Sequence, residues 1–81
     1  MKNYEDKLHL IERIDKLIRL NATGTSYQLA ELLCISRASV FRLLKYLRTM
    51  GAPIEYCKYR QTYYYQYSVK LGISHKLFNL E

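Results

Sequence analysis

The sequence lacks most of what an enzyme with a deep cleft, a membrane protein or a secreted domain requires. Its 81 residues allow one domain, because a chain of this size buries only about 60% of its unfolded surface. No apolar run approaches the roughly 18 residues that span a bilayer, and the start Met1-Lys2-Asn3-Tyr4-Glu5-Asp6 is polar and leads into no secretory apolar segment. No membrane association is expected, and the expected location is the cytoplasm. Cysteine is scarce: Cys34 and Cys57 lie far apart with no Cys-x-x-Cys pair, so both are expected as thiols packed as small hydrophobes. His9 and His75 are isolated, no ligands occur in close pairs, and neither a metal nor another cofactor is expected. A single proline and three glycines leave no linker, and no phosphate loop, His-Glu metal motif or nucleophile elbow is present. Catalysis is therefore not expected.

Acid is also short. Seven Asp and Glu stand against 13 Lys and Arg, a net charge of +6, which attracts polyanions. Hydrophobic residues at 49% and charged residues at 25% are in the range of a folded globular domain.

The apolar positions Tyr4, Leu8, Ile11, Ile14 and Ile18, widened by Leu10 and Leu17, predict an amphipathic helix over about 4–20. Glu12 before Lys16 and Asp15 before Arg19 are i,i+4 pairs on its solvated side, and Asn21 and Gly24 end it. Thr25 and Gln28 fit a capping box ahead of a short helix over about 26–33. Eight residues cannot hold a helix in water by propensity, so Leu29, Ala30, Leu32 and Leu33 must find a partner. Ser36 can cap a third helix over about 37–50, closed by Gly51 and Pro53. Val40, Leu43, Leu44 and Leu47 form its apolar stripe, while Arg37, Ser39, Arg42, Lys45, Tyr46 and Arg48 lie away from it. Beyond Pro53 the pattern turns extended, predicting a hairpin with strands over about 54–58 and 62–67, separated by the polar Tyr59-Arg60-Gln61. The remaining 69–81 is expected as a tail or a short extra strand.

A small residue in a short helix, a tight turn plugged by Ile35, and a second helix with its apolar side inward make a helix-turn-helix plan. The start of the following helix would fit the major groove of B-form DNA. From Leu29 through Leu47, followed by Gly51-Ala52-Pro53-Ile54-Glu55-Tyr56 and Tyr63-Tyr64-Tyr65, the chain resembles the winged helix-turn-helix domains of DeoR-type and WYL-type bacterial regulators and the amino-terminal domain of the biotin repressor. The resemblance covers about Ile11 to Tyr67. The run Ile35-Ser36-Arg37-Ala38-Ser39-Val40-Phe41-Arg42 and the approach to the wing, Gly51 to Tyr56, are its most specific parts.

The resemblance implies an α+β fold, a three-helix winged helix-turn-helix with a C-terminal β-hairpin wing, in a bacterial transcription regulator that binds double-stranded DNA. Cys34 stands where a glycine is usual, so its backbone must avoid or tolerate left-handed geometry. Phe41 replaces a more usual tyrosine. The family's larger regulators carry a ligand or catalytic domain after this module, and no small-molecule effector is expected here.

The expected contacts follow from position. Arg37, Ala38, Ser39 and Arg42 face base edges, Arg42 as a bidentate donor to guanine. Thr25, Ser26, Tyr27, Ser36, Lys45, Lys58 and Arg60 face phosphates, and Arg37 can serve there too. Single modules bind weakly, so a homodimer on a two-fold site is expected, with its interface among the wing tyrosines and the Val69 to Leu80 tail. Tyr56, Tyr59, Tyr63, Tyr64, Tyr65 and Tyr67 crowd the hairpin beside Lys58 and Arg60, which raises base stacking. Strand alternation puts Tyr63, Tyr65 and Tyr67 on one face and Tyr64 on the other, so at least one set is expected to cover the helices, with structural tyrosines, some at a protein interface, preferred over base stacking. The alternative function is a protein-interaction module docking a partner through the tyrosine-rich hairpin.

Overall fold

The computed structural model describes residues 4–68, as three helices followed by a two-stranded antiparallel hairpin. The helices are α1 (Tyr4–Arg19), α2 (Ser26–Leu33) and α3 (Arg37–Thr49), and the strands are β1 (Ile54–Cys57) and β2 (Thr62–Tyr65). The order is the expected α+β one, with both strands ending earlier than the β-favouring composition predicts. Residues 69–81, with the expected tail or extra strand and part of the expected dimer interface, lie outside the described residues, as do Met1 to Asn3.

Each helix gives one stripe to a shared core. Ile11, Ile14 and Ile18 come from α1, Leu29, Ala30 and Leu33 from α2, and Val40, Leu43, Leu44 and Leu47 from α3, joined by Ala52, Ile54 and Tyr63. Burying each large aliphatic side chain contributes roughly 1.5 to 3 kcal/mol. Some side chains depart from the expected pattern. Leu32 is 44% exposed, because it falls a turn face away from Leu29 and Leu33. Tyr46 is half-buried against the core with the Lys7 ammonium 3.7 Å from its ring centre. Cys34 is exposed rather than packed, whereas Cys57 is half-buried, as a small hydrophobe would be.

One device closes all three helices. Asn21, Cys34 and Gly51 take positive φ (55°, 59° and 105°), and the following N–H turns back to a carbonyl five residues earlier: Ala22 to Leu17 at 2.9 Å, Ile35 to Ala30 at 3.0 Å and Ala52 to Leu47 at 3.0 Å. This satisfies carbonyls that the helix end would orphan. Glycine suits the left-handed position, so Cys34 accepts it at a cost of about 1 kcal/mol, offset by turning the partly buried Ile35 against the core. Gly24, at φ 71°, has a different reason: a Cβ there would collide with the Gln28 side chain, whose Oε1 accepts the Thr25 N–H at 2.8 Å in the capping box.

The hairpin pairs Ile54 with Tyr65 and Cys57 with Thr62 at its two ends. Simple alternation would place Thr62 and Tyr63 on opposite faces, yet both are buried. Thr62 meets the α1–α2 loop instead: its Oγ1 lies 3.1 Å from Thr23 Oγ1 and accepts the Thr23 N–H at 3.3 Å. Thr23 Oγ1 in turn accepts the Tyr63 N–H at 2.8 Å. A second tie runs to α1, where the Tyr65 hydroxyl donates to Asp15 at 2.6 Å, itself paired with Arg19 at 2.9 Å.

Burial, reinforced by this bond to Asp15, pushes the Tyr65 phenol well above the ordinary tyrosine value of 10.0. The folded state therefore holds this proton where the unfolded chain releases it, and stability falls as pH rises past about 10. Tyr65→Phe is expected to lose about 1 kcal/mol at neutral pH and to flatten the alkaline decline. Denaturant melts at pH 7, 10 and 11 measure both, and an unchanged alkaline slope would contradict this role.

Candidate functional site

The first two turns of α3 gather Arg37, Ala38, Ser39 and Arg42, the residues expected at base edges. Ser36 caps the helix, its Oγ accepting the Ser39 N–H at 3.0 Å and donating to Ser39 Oγ at 3.1 Å. Arg42 Nη2 donates to the same Ser39 oxygen at 3.1 Å. Ser36, Ser39 and Arg42 thus form one hydrogen-bonded row on the helix, Arg42 exposed, with Ala38 and Lys45 exposed beside it. Opposite the row, Val40, Leu43 and Leu44 anchor the helix in the core.

Arg37 links this row to the start of α2. Its Nε donates to Ser26 Oγ at 3.0 Å, which explains why Ser26 is buried. Its guanidinium carbon sits 3.8 Å from the centre of the Tyr27 ring and 5.1 Å from that of Phe41. Two rings and a hydroxyl therefore fix a side chain that would otherwise sample many rotamers. The spacing of Arg37 and Phe41, four apart on a helix, carried a signal for half of this stack. The Tyr27 half depends on how α2 packs on α3 and left no trace in the local pattern.

Two helix starts meet here. The Thr25 and Gln28 capping box satisfies one end of α2, while the N–H groups of Ser26, Tyr27, Arg37 and Ala38 have no acceptor among the described residues. Neither helix has an acidic residue in its first turn. The positive ends of both helix dipoles are uncompensated, and Arg37 adds to them rather than balancing them. An anion at this place would relieve all three.

Charge is unevenly spread along the chain. Residues 1–31 carry five acidic and five basic side chains, so the whole excess lies in residues 32–81, eight cations against Glu55 and Glu81. Among the described residues no carboxylate pairs with Arg37, Arg42 or Lys45. Lys58 and Arg60 sit on the hairpin turn, both exposed, with no hydrogen bond, ion pair or ring contact to α3 among the described residues. The Arg60 guanidinium lies 5.8 Å from the centre of the Tyr64 ring, and its N–H donates to Cys57 Sγ at 3.4 Å. That N–H draws the Cys57 thiol below its ordinary pKa.

Among the described residues no three His, Cys, Asp or Glu gather to hold a metal ion, and no helix is long and apolar enough to cross a membrane. Compared with protein-family models, curated proteins and solved structures, the chain matches none.

Proposed function

We propose that this chain is a winged helix-turn-helix protein that binds double-stranded DNA with sequence preference and regulates transcription at the bacterial nucleoid. In this reading α2, the turn through Cys34 to Ser36, and α3 form the helix-turn-helix. The outer row of α3 lies in the major groove, and the hairpin is the wing. Three helices followed by an antiparallel hairpin are consistent with the layout that the resemblance to DeoR-type and WYL-type regulators implies.

One observation carries the proposal: the start of α3 presents Arg37, Ser39, Arg42 and Lys45 on a side free of carboxylates while its other side is locked in the core. A helix so mounted has the diameter for the major groove and the charge for a polyanion. Arg42, exposed, and the half-buried Ser39 bonded to it are the pair for base edges, with the exposed Ala38 beside them. Arg37, close to the Tyr27 and Phe41 rings and beside four unsatisfied N–H groups, is proposed as a phosphate contact, where position matters more than sequence. Arg37 is thereby assigned to the backbone rather than to a base, the stack leaving it little freedom to reach inward.

Selection of bound sequences from random duplex DNA tests the proposal. Enrichment of a short motif is expected. Recovery of a pool as random as the starting one, with no duplex retained at low salt, would overturn it.

A further inference from the structure

The hairpin turn carries an aromatic side chain for which the fold has no use. Six of the tyrosines with described side chains have a ring partner: Tyr27 under Arg37, Tyr46 under Lys7, Tyr56 against Tyr63 at 4.8 Å, Tyr64 under Arg60 and Tyr65 under Arg19. Tyr59 and Tyr67 have none, and Tyr59, on the turn itself, is 97% exposed. It stands at the outer end of the hairpin between Lys58 and Arg60, both exposed. Lys58 has no partner among the described residues.

The mounting is stiff. The turn at 58–61 is pinned by the Arg60 N–H on Cys57 Sγ and by Gln61 at φ 53°, directly above the Cys57 and Thr62 pair. Thr62 is tied to Thr23, and Tyr65 to Asp15. A ring held out on a stiff arm loses little freedom when it binds.

We propose that this turn is a stacking finger, in which Tyr59 covers the face of an unpaired nucleobase and Lys58 and Arg60 take the phosphates on either side of it. The inference rests on the DNA reading above and extends it. The preferred ligand is duplex DNA with an unpaired nucleotide next to the segment held by α3. Every base offers a π-face, and an aromatic ring flanked by cations matches a base flanked by phosphates. The base must be unpaired because both faces of a paired base are already covered by its neighbours in the stack.

The test compares three probes at low salt: a fully paired duplex, the same duplex with one bulged 2-aminopurine, and the bulge-bearing strand alone. The parent is expected to bind the bulged duplex about tenfold more tightly than the paired one, with 2-aminopurine emission falling as it stacks, and to bind the lone strand more weakly. Tyr59→Ala should erase the preference and the quenching while leaving affinity for the paired duplex unchanged. Tyr59→Phe should retain both. The side chain is almost wholly in water, so neither variant threatens folding. No preference in the parent, or a preference that survives in Tyr59→Ala, overturns the finger while paired-duplex binding stands. Equal affinity for the lone strand overturns the coupling to duplex. Failure to bind either duplex removes the DNA reading and the finger with it.

Discussion

Thr23→Val is expected to destabilise the domain by about 2 to 3 kcal/mol, although it preserves the shape and volume of the side chain. Thr23 is 0% exposed, and its hydroxyl is the acceptor for the Tyr63 N–H. Valine leaves that buried N–H without a partner, which costs roughly 1 to 3 kcal/mol. It also deprives the Gly24 carbonyl of a donor, now 2.9 Å away, and breaks the Thr23–Thr62 contact. A domain of this length has about 4 to 12 kcal/mol in total, so the loss is a large share. The double variant Thr23→Val with Thr62→Val should lose less than the two singles summed, because one network is being removed twice. Chemical denaturation of the four proteins decides this. Additive losses would mean that the hydroxyls act independently and that the hairpin is held by other contacts.

Arg42→Ala is expected to weaken binding to a selected DNA site by about 1 to 3 kcal/mol and to relax preference at one base pair. Its thermal midpoint should match the parent, since Arg42 is exposed and its one bond goes to Ser39 Oγ. Lys58→Ala serves as the contrast. It should weaken all sequences alike and lower the salt slope by about one, as a phosphate contact does. Competition titrations with the selected site and a scrambled duplex separate the two. If Arg42→Ala lowered both affinities equally, Arg42 would be a phosphate contact and base reading would rest elsewhere on α3.

The helices were legible because their signals are local. The three-to-four spacing from Leu8 to Ile18, the Thr25 and Gln28 box and the Ser36 cap each need only neighbours in sequence, and Asn21 and Gly51 mark ends that glycine or asparagine tolerates. Cys34 was legible as an exception, and it takes the left-handed geometry that its position demands. The hairpin was less so. A run of tyrosines favours strand at every position, so composition overran the true ends at Cys57 and Tyr65. It also hid that Thr62, the one polar residue in the run that is fully buried, is the hinge to the helices.

At the candidate site, the row on α3 was legible in the sequence and the contacts around Arg37 were not. Ser36, Ser39 and Arg42 stood out by their spacing on one helix. The clamp on Arg37 did not, because Ser26 and Tyr27 reach it from another helix across the turn. The distribution of charge was available throughout. A balanced first 31 residues and a cationic remainder place the excess of positive charge in the part of the sequence that contains α3 and the hairpin.

The most direct test of the account is a titration of a labelled 20-base-pair duplex at several salt concentrations. With about four phosphates neutralised, affinity should fall about a hundredfold between roughly 50 and 200 mM monovalent salt. Absence of binding at the lowest salt, or binding that does not change across the series, would contradict the claim that the start of α3 is a surface for DNA.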